Sequence, residues 1–297
     1  MKKKIIIFGG SGFIGTNLIN KFKKYNFDIT SASKTKPLKK KFNEKVKYIK
    51  CDITNYKNLK KIKSNYDFII NLSGNDNHQN KSETFKLHSK GSENLLKFFK
   101  DQNFSKFIQV GSSLEYGNLK SPHKEQKKIS PNSYFGKAKA KASKMLMNKF
   151  SKKKSLIILR LYQIYGPFQK EDKLIPYTIK ASLKNNKFNC SNGEQYRDFL
   201  YIDDLTNLFL KIIRSKKQKN GIFNVGSGKP HKVKNVIEKI TYFTKKGKPI
   251  FGAIKMRKEE MKVYYPDIKK IKLAYKWTPQ ISLIKGLKKT IKFYEKK

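Results

Sequence analysis

Residues Ile5 to Gly15 read IIIFGGSGFIG, and how that stretch must fold organises the reading of the whole chain. The apolar run Ile5–Phe8 has the length of a buried strand and stops at glycines. Beyond them Ile14, Leu18 and Phe22 recur every four residues, the period of a helix face. Glycine occupies positions 9, 10, 12 and 15, so the spacings Gly9-x-x-Gly12-x-x-Gly15 and Gly10-x-Gly12-x-x-Gly15 coexist. A backbone that turns this tightly and comes close to a pyrophosphate has no room for a Cβ. The helix that follows offers its unpaired N–H groups to phosphate. In a strand–turn–helix setting the pattern reads as a dinucleotide site rather than a merely structural turn.

The same alternation continues along the first half. Short apolar runs at 4–8, 27–31, 46–50, 68–72, 107–110 and 156–161 are strand candidates, and Leu87, Leu95, Leu96 and Phe99 mark a second helical face. Buried strands alternating with helices imply an α/β fold with a doubly wound parallel sheet. After Tyr165–Gln169 (YGPFQ) the elements become shorter and irregular, closing with a helix that carries Ile284, Leu287, Ile291 and Tyr294 on one side. The expected division is a dinucleotide-binding domain over 1–168 and a mainly substrate-binding lobe over 169–297, with returns to the first domain around 197–227. The Lys-rich segment 34–47 reads as an exposed loop.

A formal charge of +48 suggests nucleic acid at first sight, but only Arg160, Arg197, Arg214 and Arg257 are arginines and the lysines spread over the whole chain. Nucleic-acid readers favour the forked guanidinium, so the charge reads as a solvated lysine surface that helps draw in an anionic small molecule. Cys51 and Cys190 make neither a disulfide framework nor a metal site, which fits a reducing compartment. The opening MKKKIIIFGG imitates a signal peptide, but its apolar run is too short, and no stretch reaches membrane-spanning length. The expectation is a cytoplasmic protein with no metal, no nucleic-acid partner and no membrane insertion.

The end of the second strand, ITSASK (Ile29–Lys34), lacks the acid that would accept from a free 2′-hydroxyl. Ser31, Ser33 and Lys34 stand there instead as donors to a 2′-phosphate, which tips the cofactor slightly toward NADP over NAD.

Taken with GGSGFIG, the stretches CDIT (Cys51–Thr54), GSSLEYG (Gly111–Gly117), FGKAK (Phe135–Lys139), LRLYQIYGP (Leu159–Pro167), GEQYRDFLYIDDL (Gly193–Leu205), FNVGSGKP (Phe223–Pro230) and YKWTP (Tyr275–Pro279) span almost the whole chain. Together they resemble the extended short-chain dehydrogenase/reductase family of nucleotide-sugar epimerases, dehydratases and reductases. The resemblance implies a Rossmann domain with a smaller C-terminal substrate lobe, working as a homodimer. It implies cofactor contacts from Gly9, Gly12, Phe13, Ile14, Gly15 and Leu72, with Asp52 and Ile53 flanking the adenine. Ser112 would be the hydroxyl beside the reacting sugar carbon. Lys139 would hold the nicotinamide ribose and favour a neighbouring phenolate, bringing a group of intrinsic pKa about 10 into working range. Ser113 and Gln163 would line the sugar, and Arg197 would clamp the diphosphate, unless it pairs instead with Asp198 or Asp203.

Three positions depart from the family pattern. Where it has Tyr-Gly-x-x-Lys, this chain has Phe135-Gly136-Lys137-Ala138-Lys139, with Tyr134 one residue early. Neighbours on a helix are turned about 100° apart, so Tyr134 substitutes only if the helix starts irregularly; otherwise Ser112, or a water it holds, protonates a ketone slowly. An expected asparagine is His88, a residue type more often found packing than catalysing. The Glu that removes a proton in 4,6-dehydratases is Leu114, with Glu115 one residue late, which argues against dehydration. What remains is redox chemistry at C4, in a reductase or epimerase of nucleotide-activated deoxysugars for surface polysaccharide, or a weak or inactive relative that binds both ligands.

Overall fold

A computed structural model of the chain describes residues 2–63, 65–74, 80–150, 155–256 and 260–296. Its strands are β1 (Lys3–Phe8), β2 (Phe27–Ser33), β3 (Val46–Lys50), β4 (Phe68–Asn71), β5 (Lys106–Ser112), β6 (Ser155–Leu161), β7 (Gln163–Tyr165), β8 (Lys187–Asn189), β9 (Tyr196–Tyr201), β10 (Gly221–Val225), β11 (Pro230–Lys232), β12 (Lys248–Ile250) and β13 (Val263–Tyr264). The helices are α1 (Phe13–Phe22), α2 (Tyr56–Leu59), α3 (Lys81–Phe85), α4 (Gly91–Phe99), α5 (Tyr134–Lys149), α6 (Leu174–Leu183), α7 (Ile202–Arg214), α8 (Val233–Thr244), α9 (Lys269–Tyr275) and α10 (Leu283–Glu295). A π-helical turn, Lys86–Lys90, joins α3 to α4, and a 3-10 turn, Ser113–Tyr116, follows β5.

Seven strands form one sheet in the order β10-β6-β5-β4-β1-β2-β3, and every pairing in it is parallel. The six strands expected from the first half are all in it, and the seventh comes from residues 221–225. Apolar runs rather than alternating ones are required because both faces are covered. Ile5, Ile7, Ile70 and Ile157 pack into one core with Leu18 and Phe22 of α1 and Leu205, Leu208 and Phe209 of α7. Ile6, Phe8, Ile69 and Ile158 point the other way, into a second core with Leu95 and Phe99 of α4 and Leu146 of α5. Strand order reverses between β1 and β4, which opens a crevice at their carboxyl ends, the place where open α/β sheets bind ligands.

Beyond residue 161, β7, β8, β11, β12 and β13 are only two or three residues long. β7, β11 and β13 pair with β9 in a second sheet, and β8 pairs with β12. The C-terminal segment is tied to α7 by polar contacts. The carboxylate of Asp204 accepts from the backbone N–H groups of Gln280 and Ile281 at 3.0 and 2.9 Å, and the indole of buried Trp277 donates to the Asp204 carbonyl at 3.1 Å. In α10 the buried side is Leu283, Leu287, Thr290, Ile291 and Tyr294, whereas Ile284, expected on that side, is half exposed. Leu283, one position earlier, takes its place, a helical turn before Leu287. No helix among the described residues is long and apolar enough to cross a membrane.

Candidate functional site

The glycine turn leaves β1 with Gly9 at φ +76°, where a side chain would also meet the backbone of Leu72 and Ser73 at 2.9 Å. Gly15 lets α1 pack on the turn, since a Cβ there would run into the backbone of Gly10 at 2.5 Å. Gly12 occupies the position before α1, where no side chain caps the helix and the first turn holds no acid. The N–H groups at that end therefore face the crevice with positive polarity, as an anionic phosphate requires. Phe13 and Ile14 begin the helix, half buried against the core. The Leu72 N–H donates to the Phe8 carbonyl and lays the end of β4 alongside the turn.

The ends of β2 and β3 stand beside it. The carboxylate of Asp52 accepts from the N–H and hydroxyl of Thr54 at 2.9 and 2.8 Å, and the Lys34 ammonium lies 3.9 Å away. Ile53 is buried under Gly91. The Ser33 hydroxyl accepts from the Ser11 N–H, which leaves its own O–H to donate. Ser31 corrects the sequence reading. It is buried under Gly10, where an added Cβ would overlap its hydroxyl, so it supports the turn and does not reach a ribose phosphate. Ser31 and Ser33 share a strand face, and what separates them is position along it: Gly10 lies over Ser31, while Ser33 meets the Ser11 N–H.

β5 delivers Ser112 to the same edge. Its hydroxyl accepts from the Leu114 N–H, while the Glu115 carboxylate accepts from the Ser112 N–H at 2.9 Å. The other Glu115 oxygen accepts from Arg160 Nε at 2.9 Å, and both side chains are buried. Glu115 is thus committed to holding the turn.

α5 starts regularly at Tyr134, with the Ser133 hydroxyl capping the Gly136 N–H at 3.1 Å. The irregular first turn that would bring Tyr134 inward is absent. Its ring is 46% exposed, under the Lys81 ammonium at 5.3 Å, and stands apart from the other expected catalytic residues. Phe135 lies one turn from Lys139, whose ammonium is 5.7 Å from the ring centre and donates to the Val110 carbonyl at 2.9 Å. Burial pushes the Lys139 pKa down to about 8, opposed by the nearby Glu115 carboxylate. The buried imidazole of His88, on the π-helical turn, meets Phe135 edge-on at 4.9 Å between ring centres.

From the second sheet, Arg197 on β9 is buried, donates to its neighbour's carbonyl at 2.7 Å and pairs with Glu260, its guanidinium 5.9 Å from the Tyr264 ring centre. The alternative pairing with Asp198 or Asp203 does not occur. The Asp198 carboxylate accepts from the Ser227 and Gly228 N–H groups at 2.7 and 2.6 Å, and Asp203 pairs with Lys289. Gln163 is exposed at the start of β7, and the Ser113 carbonyl accepts from the Tyr264 hydroxyl at 2.6 Å.

Sequence reasoning missed the aromatic cage that backs this edge. His123 stacks on Tyr116 at 4.6 Å and sits 2.7 Å from both the Tyr162 hydroxyl and the Leu119 carbonyl. Burial holds its pKa down, so the ring is neutral; Nε2–H donates to Leu119 and Nδ1 accepts from Tyr162. The Tyr116 hydroxyl donates to the Asn224 amide oxygen at 2.8 Å, joining the turn after β5 to β10. The tyrosines of GSSLEYG and LRLYQIYGP carried the signal, but only folding reveals that they share a histidine.

Glycine turn, switch-point crevice and strand-end residues define a doubly wound α/β protein of the Rossmann type with a site built for a phosphate-bearing ligand. The chain belongs to the NAD dependent epimerase/dehydratase family, whose model matches residues 5–226. It is 25% identical over 305 residues to CDP-abequose synthase of Salmonella muenchen, covering 99% of each chain. It is 29% identical over 263 residues to UDP-glucuronate 4-epimerase of Thermodesulfobacterium geofontis, covering 84% of this chain and 80% of that one. Among solved structures, UDP-glucose 4-epimerase with UDP-glucose from Thermotoga maritima superposes with a TM-score of 0.91 at 22% identity, over 99% of both chains. The Bordetella bronchiseptica enzyme WbmG in complex with NAD and UDP gives 0.89 at 19% identity, over 100% of this chain and 95% of that one.

Proposed function

We propose that the protein is a nicotinamide-dinucleotide-dependent reductase or C4 epimerase of a nucleotide-activated deoxysugar, cytoplasmic and serving surface polysaccharide synthesis. The observation that carries this reading is the convergence of the uncapped glycine turn, Ser112 and the Lys139–Phe135 face on one edge of the sheet. The turn would take the pyrophosphate and Lys139 the nicotinamide ribose, with Ser112 beside the sugar. Arg197, once released by Glu260, would hold the diphosphate through two parallel N–H bonds. The bound dinucleotide supplies or accepts hydride at C4. Leu114, half exposed where a dehydratase base would stand, favours C4 redox chemistry over elimination. The CDP- and UDP-sugar enzymes among the relatives support a nucleotide sugar as substrate.

Ser33 and Lys34 favour NADP, and calorimetric titration should show NADP binding more tightly than NAD, with the difference reduced in Lys34→Ala. Arg197→Lys should weaken nucleotide-sugar binding and spare dinucleotide binding. Turnover is tested on dTDP-, UDP- and CDP-4-ketosugars by loss of reduced-cofactor absorbance, and on 4-hydroxy sugars by NMR of the epimer. Phe135 gives a second reading its basis, a member that binds both ligands and turns over slowly or not at all. Binding of both ligands with no product from any sugar would establish that second reading.

A further inference from the structure

We propose that His88 is the proton donor of this site, taking the place of the phenol that Phe135 lacks. The proposal rests on the reductase reading above. Phe135 shares a helix face with Lys139 and has no proton to give. The Phe135 ring meets the Lys139 ammonium at 5.7 Å and the His88 imidazole at 4.9 Å. Lys139 is already engaged with the Val110 carbonyl. His88 comes from a different element, 47 positions earlier (135 − 88), so no local pattern forces the two rings together.

The backbone around His88 is built to aim it inward. The run from α3 to α4 breaks its α-helical ladder only at Lys86–Lys90, and the π turn there centres on His88. In α3 and the π turn the buried residues are Thr84 and His88, followed in the first turn of α4 by Gly91 and Ser92, and both α3 and the π turn pack against α5. Single π turns occur often at functional sites, because the extra residue re-aims one side chain at a cost in hydrogen bonding. On its other side the ring lies beside Gly74, just past the end of β4, where an added Cβ would come within 3.4 Å of His88 Cε1. The imidazole therefore stands between the crevice edge of β4 and the face of α5 that carries Phe135 and Lys139. Imidazolium is also the side-chain acid whose ordinary titration lies nearest neutral pH.

In the proposed step the oxygen of a 4-ketosugar takes the imidazolium proton as its π pair becomes the O–H bond. The hydride that completes the alcohol at C4 comes from the reduced nicotinamide dinucleotide, and solvent reprotonates the neutral imidazole. The reverse sequence, with imidazole as base, oxidises the alcohol.

The test uses His88→Asn, with His88→Gln as a second variant should the first fail to fold. One readout needs no turnover: the infrared carbonyl stretch of a 13C4-labelled dTDP-4-ketosugar bound to the full chain with oxidised dinucleotide. A hydrogen bond from His88 holds that band at lower wavenumber, and it should rise toward the free-ketone position in either variant. Turnover should fall by about 10²–10⁴, the usual contribution of a positioned acid, and Phe135→Tyr in the His88→Asn background should restore most of it. A band unmoved by the substitution, or a folded variant with wild-type turnover, overturns the proposal while leaving the reductase reading intact. Failure of the wild-type chain to bind any of the dTDP-, UDP- or CDP-ketosugars overturns both.

Discussion

At the scale of single residues, the site turns on which side chains are free to act and which are held. Tyr134 projects from the first turn of α5 into solvent, so Tyr134→Phe should leave turnover within about two-fold of wild type, because removing an exposed hydroxyl changes little. Loss of activity in that variant would mean the helix start rearranges when ligand binds. Glu115 is the opposite case. Its carboxylate caps the turn after β5 and balances buried Arg160, so Glu115→Ala leaves a guanidinium in the core without its counter-charge. Such losses cost roughly 3–5 kcal/mol, and urea unfolding should show a fall in unfolding free energy of that order. A drop below about 1 kcal/mol, the range of surface pairs, would show that water reaches the pair.

At the scale of elements, β9 presents a buried acid whose ionisation opposes folding. Burial pushes the Asp198 pKa up to about 6 from 3.8, although the N–H groups of Ser227 and Gly228 pull the other way. A carboxyl with a raised folded-state pKa binds more protons in the native state, so its contribution is complete below pH 3.8 and is lost as pH rises through 6. Unfolding free energy measured from pH 4 to 7 should therefore carry a downward component of about 2–3 kcal/mol. That component should vanish in Asp198→Asn; an unchanged slope would place the titration elsewhere. Elements also mark how far the sequence could be read. The first six strands of the main sheet were legible as short runs between helical patterns, most of them buried on both faces, although edge strand β3 buries only Val46. β7, β8, β11, β12 and β13 are two or three residues long, too short to show any period. The π turn at 86–90 was invisible because inserting one residue into a helix leaves apolar spacing almost intact. Glycine turn, Ser112, Lys139 and Arg197 could be named from motifs. The Arg197–Glu260 and His88–Phe135 contacts could not, since they join segments 63 and 47 positions apart.

At the scale of the whole molecule, α3, α4 and α5 lie together on one side of the sheet, an arrangement suited to a closed two-fold dimer. Each copy carries a formal charge of +48, and lysines are numerous on these helices. Like charge opposes the pairing until salt screens it, over a Debye length that shrinks from about 30 Å at 0.01 M to about 8 Å at 0.15 M. Static light scattering should thus report mass rising toward twice 34.7 kDa as salt increases. A monomer at every ionic strength would exclude the dimer. The clasp between α7 and the C-terminal segment has a consequence of another kind. Trp277 is the only tryptophan in the chain, and its indole is shielded from solvent while donating to Asp204. Its fluorescence therefore reads out one joint of the molecule, where far-ultraviolet dichroism averages over all helices and strands. Coincident midpoints from the two signals would mark a single cooperative transition. A red shift of the indole that precedes the loss of dichroism would time the release of the chain's last turns, with no label attached.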